Sequence, residues 1–124
     1  MNVLIDTDIA IEILRARDQA ILSKWTGLIV SGAVVLYSPV TAAEVWAGAL
    51  PSEYQLISRF FRPLICFATD YDIGQLAGEF LRKYNRSHSL ELGNALIAAT
   101  ALLRQSALWT RNRKHYPMPG LTFY

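Results

Sequence analysis

A single cysteine, Cys66, occurs in the 124 residues, so no intrachain disulfide and no cysteine-rich zinc site can form, and nothing requires an oxidising compartment. The two histidines, His88 and His115, stand apart from each other and from Cys66, which removes the spacings of a zinc site. No G-x-G-x-x-G, Walker loop, H-E-x-x-H or G-x-S-x-G is present, and the nucleotide-fold and serine-hydrolase readings lose their main support. A signal peptide is also missing: Asp6, Asp8 and Glu12 fall where its apolar part would lie, with no basic segment before them, so secretion is not expected and the cytoplasm is the default. The uncharged stretch from Trp25 to Ala43 is interrupted by Gly27, Ser31, Gly32, Ser38, Pro39 and Thr41. It reads as a helix end, a turn and a strand, and no membrane partner is expected.

What remains is 52% hydrophobic and 18% charged, the balance of one compact domain over residues 1–124 and not of a disordered tail. The net charge of +2 conceals an asymmetry: residues 1–80 carry five bases against nine acids, whereas residues 81–124 carry seven bases against Glu91 alone. Basic residues gathered in one segment fit a polyanion partner, or else a solvated helix face. The small total excludes a protein that coats nucleic acid without specificity.

Apolar runs bounded by turn residues predict strands at Asn2–Ile5, Val34–Tyr37, Leu64–Phe67, Ala107–Trp109 and Leu121–Tyr124. Helical spacing predicts helices after Asp8, from Asp18 to about Ile29, from near Thr41, over Tyr54–Phe61, from Asp70 to Tyr84, and over Ala95–Leu103, the last apolar on nearly every side. Thr110–His115 reads as a basic loop or short helix, and Cys66 as core. Trp25, Trp46 and Trp109 read as core or interface. Short apolar strands alternating with helices predict a three-layer α/β/α sandwich around a mainly parallel sheet. Ligand sites in such sheets lie at the carboxyl ends of the strands.

Asp6 directly follows the first strand, where a carboxylate can bind a hard cation or take a proton, or else serves turn chemistry or a helix cap. Asp8 is the better placed helix cap and leaves Asp6 without a local role. Thr41-Ala42-Ala43-Glu44 matches the S/T-x-x-E capping box, so Glu44 either satisfies a backbone N–H or turns to the sheet edge near Asp6. One carboxylate conformation cannot do both. Asn94 reads as a cap or first-turn residue of the buried helix, Asn112 as an Asx-turn, and His115 as a group facing phosphate or solvent.

Taken in order, Leu4-Ile5-Asp6-Thr7-Asp8, Thr41-Ala42-Ala43-Glu44-Val45, Gly93-Asn94 with the run Ala95 to Ala101, and Trp109-Thr110-Arg111-Asn112 resemble the successive motifs of PIN domains, in particular VapC-type toxins. The resemblance extends to the closing Pro119-Gly120-Leu121 and implies a PIN-like fold and a Mg²⁺- or Mn²⁺-dependent endoribonuclease blocked by a cognate antitoxin. It places Asp6 and Glu44 among the metal ligands and catalytic residues, Asn94 at the third position and Asn112 at the fourth. The third position departs from the family: aspartate is usual there, and Asn94 keeps the shape while removing a unit of negative charge. Arg111, Arg113 and Lys114, beside this site, are expected to contact RNA phosphates, and a homodimer that also binds an antitoxin peptide is expected.

Two other readings are distinguishable. Asp6-Thr7-Asp8 with Ser38 also matches the opening of a haloacid-dehalogenase-like phosphatase, which needs a late acidic pair; after Asp72 the only acids are Glu79 and Glu91. A non-catalytic PIN-like protein that binds RNA or a partner is the alternative that Asn94 favours.

Overall fold

Leu4 points into one apolar layer, whereas its neighbours Val3 and Ile5 point into another, as the two-residue period of a strand requires. The same alternation divides Val35 from Leu36 and Leu108 from Trp109. A sheet buried on both faces needs helices on both, and the computed structural model, which describes residues 1–124, shows them.

The elements in chain order are β1 (Asn2–Ile5), α1 (Thr7–Arg15), α2 (Gln19–Val30), β2 (Val34–Tyr37), α3 (Pro39–Ala47), α4 (Tyr54–Phe61), β3 (Ile65–Cys66), α5 (Tyr71–His88), α6 (Leu92–Leu103) and β4 (Ala107–Trp109). The strand order is β3-β2-β1-β4 and every pair is parallel, with Leu4 opposite Leu36 on one side and Leu108 on the other. Ile73 and Ala77 of α5 and the alanine-rich α6 cover one face. Ile9 of α1, Ile21 and Leu28 of α2, Val45 of α3, and Ile57 and Phe61 of α4 cover the other. This is the α/β/α sandwich expected. Four alanines, Ala95, Ala98, Ala99 and Ala101, let α6 lie close to the sheet and α5, and the buried Thr100 hydroxyl is satisfied by donating to the Leu96 carbonyl at 2.7 Å.

Several local expectations are corrected. The third helix begins at Pro39, with Ser38 as its cap accepting from Val40 N at 3.1 Å, because proline suits the first helical turn. Ser38 is thereby buried in a structural role. The Leu64–Phe67 run is a strand only at Ile65–Cys66, and because this is the sheet edge both residues are exposed; Cys66 is not core. The helix from Asp70 continues past Tyr84 to His88. The closing strand reduces to one bridge, Leu108 with Phe123. Trp109 is buried and stacks on Trp25, whereas Trp46 is exposed. No helix is long and apolar enough to cross a membrane.

Candidate active site

Because β1 is central and pairs with both β2 and β4, the chain leaves its carboxyl end at a crevice between neighbouring connections. Asp6 sits at that point and, contrary to the expectation for Asp8, is itself the cap of α1: its Oδ1 accepts from Thr7 N at 2.8 Å. Its Oδ2 accepts from the Thr110 hydroxyl and from the Tyr116 hydroxyl, both at 2.8 Å. A carboxylate only 6% exposed is tolerated because three donors replace its water.

Asp8 stands one step further out. Its Oδ2 accepts from Arg111 N at 3.0 Å and from Asn112 Nδ2 at 3.2 Å, while its Oδ1 is buried without a hydrogen-bond partner. Burial, and next the charge of Asp6, push the Asp8 carboxyl above its usual range.

Glu44 lies well inside α3, too far along for a capping box, so the capping reading is overturned and the carboxylate is released toward the sheet edge. There its Oε1 accepts from the Thr7 hydroxyl at 2.7 Å, and Thr7 in turn meets the buried Thr41 hydroxyl at 3.1 Å. A Cβ on Gly93 would lie 4.0 Å from both Glu44 carboxylate oxygens and 3.3 Å from Val40 Cγ1. Glycine at this position therefore lets the first turn of α6 approach Val40 of α3, which leaves that turn close to Glu44, and the amino end of a helix favours a carboxylate.

Asn94 is a first-turn residue of α6 and not its cap. Glu91 holds that position without a side-chain bond, and Asn94 is inside α6 with its Oδ1 3.2 Å from the Tyr116 hydroxyl. Tyr116 is 3% exposed, and its phenol is pushed far upward, by burial first and then by Asp6, with Asp8 and Glu44 adding to it. The phenol thus sits between Asp6 and Asn94. Asn112 joins through Asp8; its Asx-turn is replaced by a bond from its own N–H to the Thr110 hydroxyl at 3.1 Å.

The basic residues lie beside this group with different degrees of freedom. Arg111 is paired to Glu12 at 3.2 Å, Arg113 stacks 5.0 Å from the Phe123 ring, and Lys114 is exposed. His88 and His115, far apart in sequence, line one polar cavity of about 260 Å³ together with Ser89, Glu91 and Asn94. Four residues that organise the acidic group escape a reading of the sequence: Thr7, Thr41, Thr110 and Tyr116. Thr110 follows β4 as Asp6 follows β1, which is a usable signal. Nothing local marks Tyr116.

The PIN domain family model matches residues 3–121. The chain belongs to the PIN domain family. Ribonuclease VapC19 of Mycobacterium tuberculosis is 34% identical over 116 residues, covering 93% of this chain and 92% of that protein. The toxin–antitoxin complex from Klebsiella pneumoniae superposes with a TM-score of 0.73 at 26% identity, over 97% of this chain and 95% of that one. VapBC2 from Rickettsia felis, bound to a DNA fragment from its promoter, superposes with a TM-score of 0.80 at 20% identity, over 100% and 98% of the two chains. PIN membership and the α/β/α architecture therefore agree.

Whether this PIN domain's residues suit a divalent ion can be judged from the donors. No three aspartate, glutamate, histidine or cysteine side chains form an ion-holding group on their own. Two carboxylates, Asp6 and Glu44, and the Asn94 amide supply oxygen, and the partnerless Asp8 Oδ1 is a buried acceptor nearby. Such a hard, incomplete oxygen set suits Mg²⁺ or Mn²⁺, which keep several waters and accept phosphate oxygens. It suits zinc poorly.

Proposed function

We propose that this chain is a metal-dependent endoribonuclease of the VapC kind, the toxin of a toxin–antitoxin pair. One observation carries the reading most directly: Thr7 holds both carboxylates, Asp6 through its backbone N–H and Glu44 through its hydroxyl. Two carboxylates gathered on one threonine at the carboxyl end of a parallel sheet offer negative oxygens to a divalent cation. The ribonuclease names of the relatives and the toxin–antitoxin complexes among the structural neighbours support the same reading.

Asp6, Glu44 and Asn94 would hold Mg²⁺ or Mn²⁺, which supplies positive charge to a phosphodiester and acidifies water. The chain's own groups do the rest. Tyr116 and Thr110 fix Asp6, Thr7 fixes Glu44, and Arg111, Arg113 and Lys114 would receive RNA phosphates. Asn94 supplies an oxygen without a charge, so the ion is held less tightly than by a third carboxylate. One side chain of an antitoxin peptide would enter the cleft of about 130 Å³ between α1, α3 and α4, where Ile11, Leu14, Val45 and Leu56 offer apolar contact and Glu44 and Glu53, with Arg15 beside them, offer charge. A homodimer accords with the exposure of Leu92 and Leu103 on α6. A non-catalytic RNA-binding role is the second reading, favoured by Asn94.

The deciding experiment combines cleavage of single-stranded RNA with thermal unfolding, each with and without Mn²⁺. Cleavage should require the ion, and the ion should raise Tm; at a hundred times its Kd it adds about 2.7 kcal/mol. Asp6→Ala and Glu44→Ala should each abolish both effects. RNA binding without cleavage, with Tm indifferent to Mn²⁺, would replace the enzyme by the binding protein.

A further inference from the structure

The Tyr116 hydroxyl has one proton and two neighbours that both face it as acceptors: Asp6 Oδ2 at 2.8 Å and Asn94 Oδ1 at 3.2 Å. One proton serves one of them. The carboxylate is charged and nearer, and a bond to a charged acceptor is about twice as strong as one between neutral groups, so the proton goes to Asp6.

What then faces Asn94 is a phenol lone pair, and an amide oxygen set against it would repel. The two ends of an amide have nearly the same shape, and the hydrogen-bond network decides which is which. We propose that Tyr116 orients Asn94: the Asn94 amide nitrogen donates to the phenol oxygen, and its carbonyl oxygen, the only end able to bind a cation, is turned away from Tyr116 as a free donor. Tyr116 is thereby a positioning residue for two ligands at once. This inference rests on the metal-site reading above and adds a reason for asparagine at this position. A carboxylate has two equivalent oxygens and needs no orienting, whereas an amide is useful to a cation in one orientation only. Asparagine at 94 thus depends on tyrosine at 116 in a way that aspartate would not.

The test is a cycle of Tyr116→Phe and Asn94→Asp, read first without metal. Phenylalanine fills the same space but removes one of the three donors to Asp6, so the backbone ¹⁵N spectrum of each variant is compared first to establish that the fold is kept. In the unaltered chain, ¹⁵N spectra should show one Asn94 side-chain N–H shifted and slow to exchange with water, and Tyr116→Phe should return it to free-amide behaviour. Mn²⁺ affinity is the second readout. Loss of one oriented hydrogen bond corresponds to about a two- to tenfold effect, so Tyr116→Phe should weaken Mn²⁺ binding by that additional factor when residue 94 is asparagine, beyond its effect in the Asn94→Asp background. Equal losses in both backgrounds, or an Asn94 signal untouched by Tyr116→Phe, would overturn the proposal. If no variant binds Mn²⁺, the metal reading fails while the spectra still decide the orientation.

Discussion

The Thr7 hydroxyl lies 2.7 Å from Glu44 Oε1 and ties the first turn of α1 to the middle of α3. The tie is continued by Thr41, fully buried, whose hydroxyl has Thr7 as its partner at 3.1 Å. Thr7→Val preserves shape and removes the hydroxyl, leaving Thr41 buried and unsatisfied. The expected cost is about 1–3 kcal/mol in denaturant unfolding. Thr7→Ser, which keeps the hydroxyl, should restore most of it. Equal stabilities for Val and Ser would show that the hydroxyl chain carries no weight.

Asn94→Asp keeps the volume of residue 94, and so the packing of α6, while it adds one negative charge on the far side of Tyr116 from Asp6. Charge-stabilising and acid–base groups are each worth about 10²–10⁴ in rate. The aspartate variant should therefore cleave RNA at least about a hundredfold faster in saturating Mn²⁺, and it should bind the ion more tightly. Single-turnover rates for the two proteins check this, and equal rates would remove Asn94 from the ligand set.

Arg111, Arg113 and Lys114 should contribute to RNA affinity by neutralising phosphates. Removing one such basic side chain is expected to reduce the slope of log affinity against log salt by about 0.7 on single-stranded RNA. Lys114, free of an ion pair, should show the full effect, whereas Arg111 is already committed to Glu12 at 3.2 Å and should show less. Salt titrations of the three single alanine variants distinguish these; an unchanged slope in all three assigns the residues to solvated surface.

Asp70 gives a pH-dependent prediction away from the site. It caps α5 by accepting from Ile73 N at 3.0 Å and pairs with Arg104 at 2.7 Å, and its carboxyl is held below the usual 3.8, the backbone bond being the first cause. A lowered carboxyl stabilises the fold above its unfolded pKa, and that contribution disappears as pH falls below 3.8 through the folded value. Asp70→Ala should lower Tm at neutral pH and make the decline of Tm below pH 4 shallower, as followed by circular dichroism. An identical acid limb in both proteins would contradict the shift.

The sequence is most readable where a long periodic pattern meets burial. Alternation in Leu4-Ile5 and in Val35-Leu36, and the alanine-rich α6, specify strands and a central helix because a slip would expose the core. Asp6 and Glu44 are visible as carboxylates following strands, yet their local roles differ from those expected. The cap of α1 is Asp6 because the helix starts earlier than the apolar pattern indicates, and Glu44 is free because Ser38-Pro39 starts α3 ahead of Thr41. Cys66 resembles core because apolar residues surround it in sequence, but strand order, which composition does not contain, puts it on an edge. Tyr116 is invisible for the same reason. Its significance lies in bonds to Asp6 and Asn94 that only the folded chain creates.

Asp6 takes two of its three donors from Thr110 and Tyr116, 104 and 110 positions downstream. Synthesis proceeds from the amino terminus, so a ribosome must extend the chain by 104 residues beyond Asp6 before the first of those donors exists. Until then the aspartate is an ordinary solvated carboxylate near the start of a chain whose central strand lacks its β4 partner. The acidic centre is therefore completed late, and a chain cut short before Thr110 would have every acid of the site and the Thr7 tie between Asp6 and Glu44, but neither hydroxyl that satisfies Asp6 Oδ2.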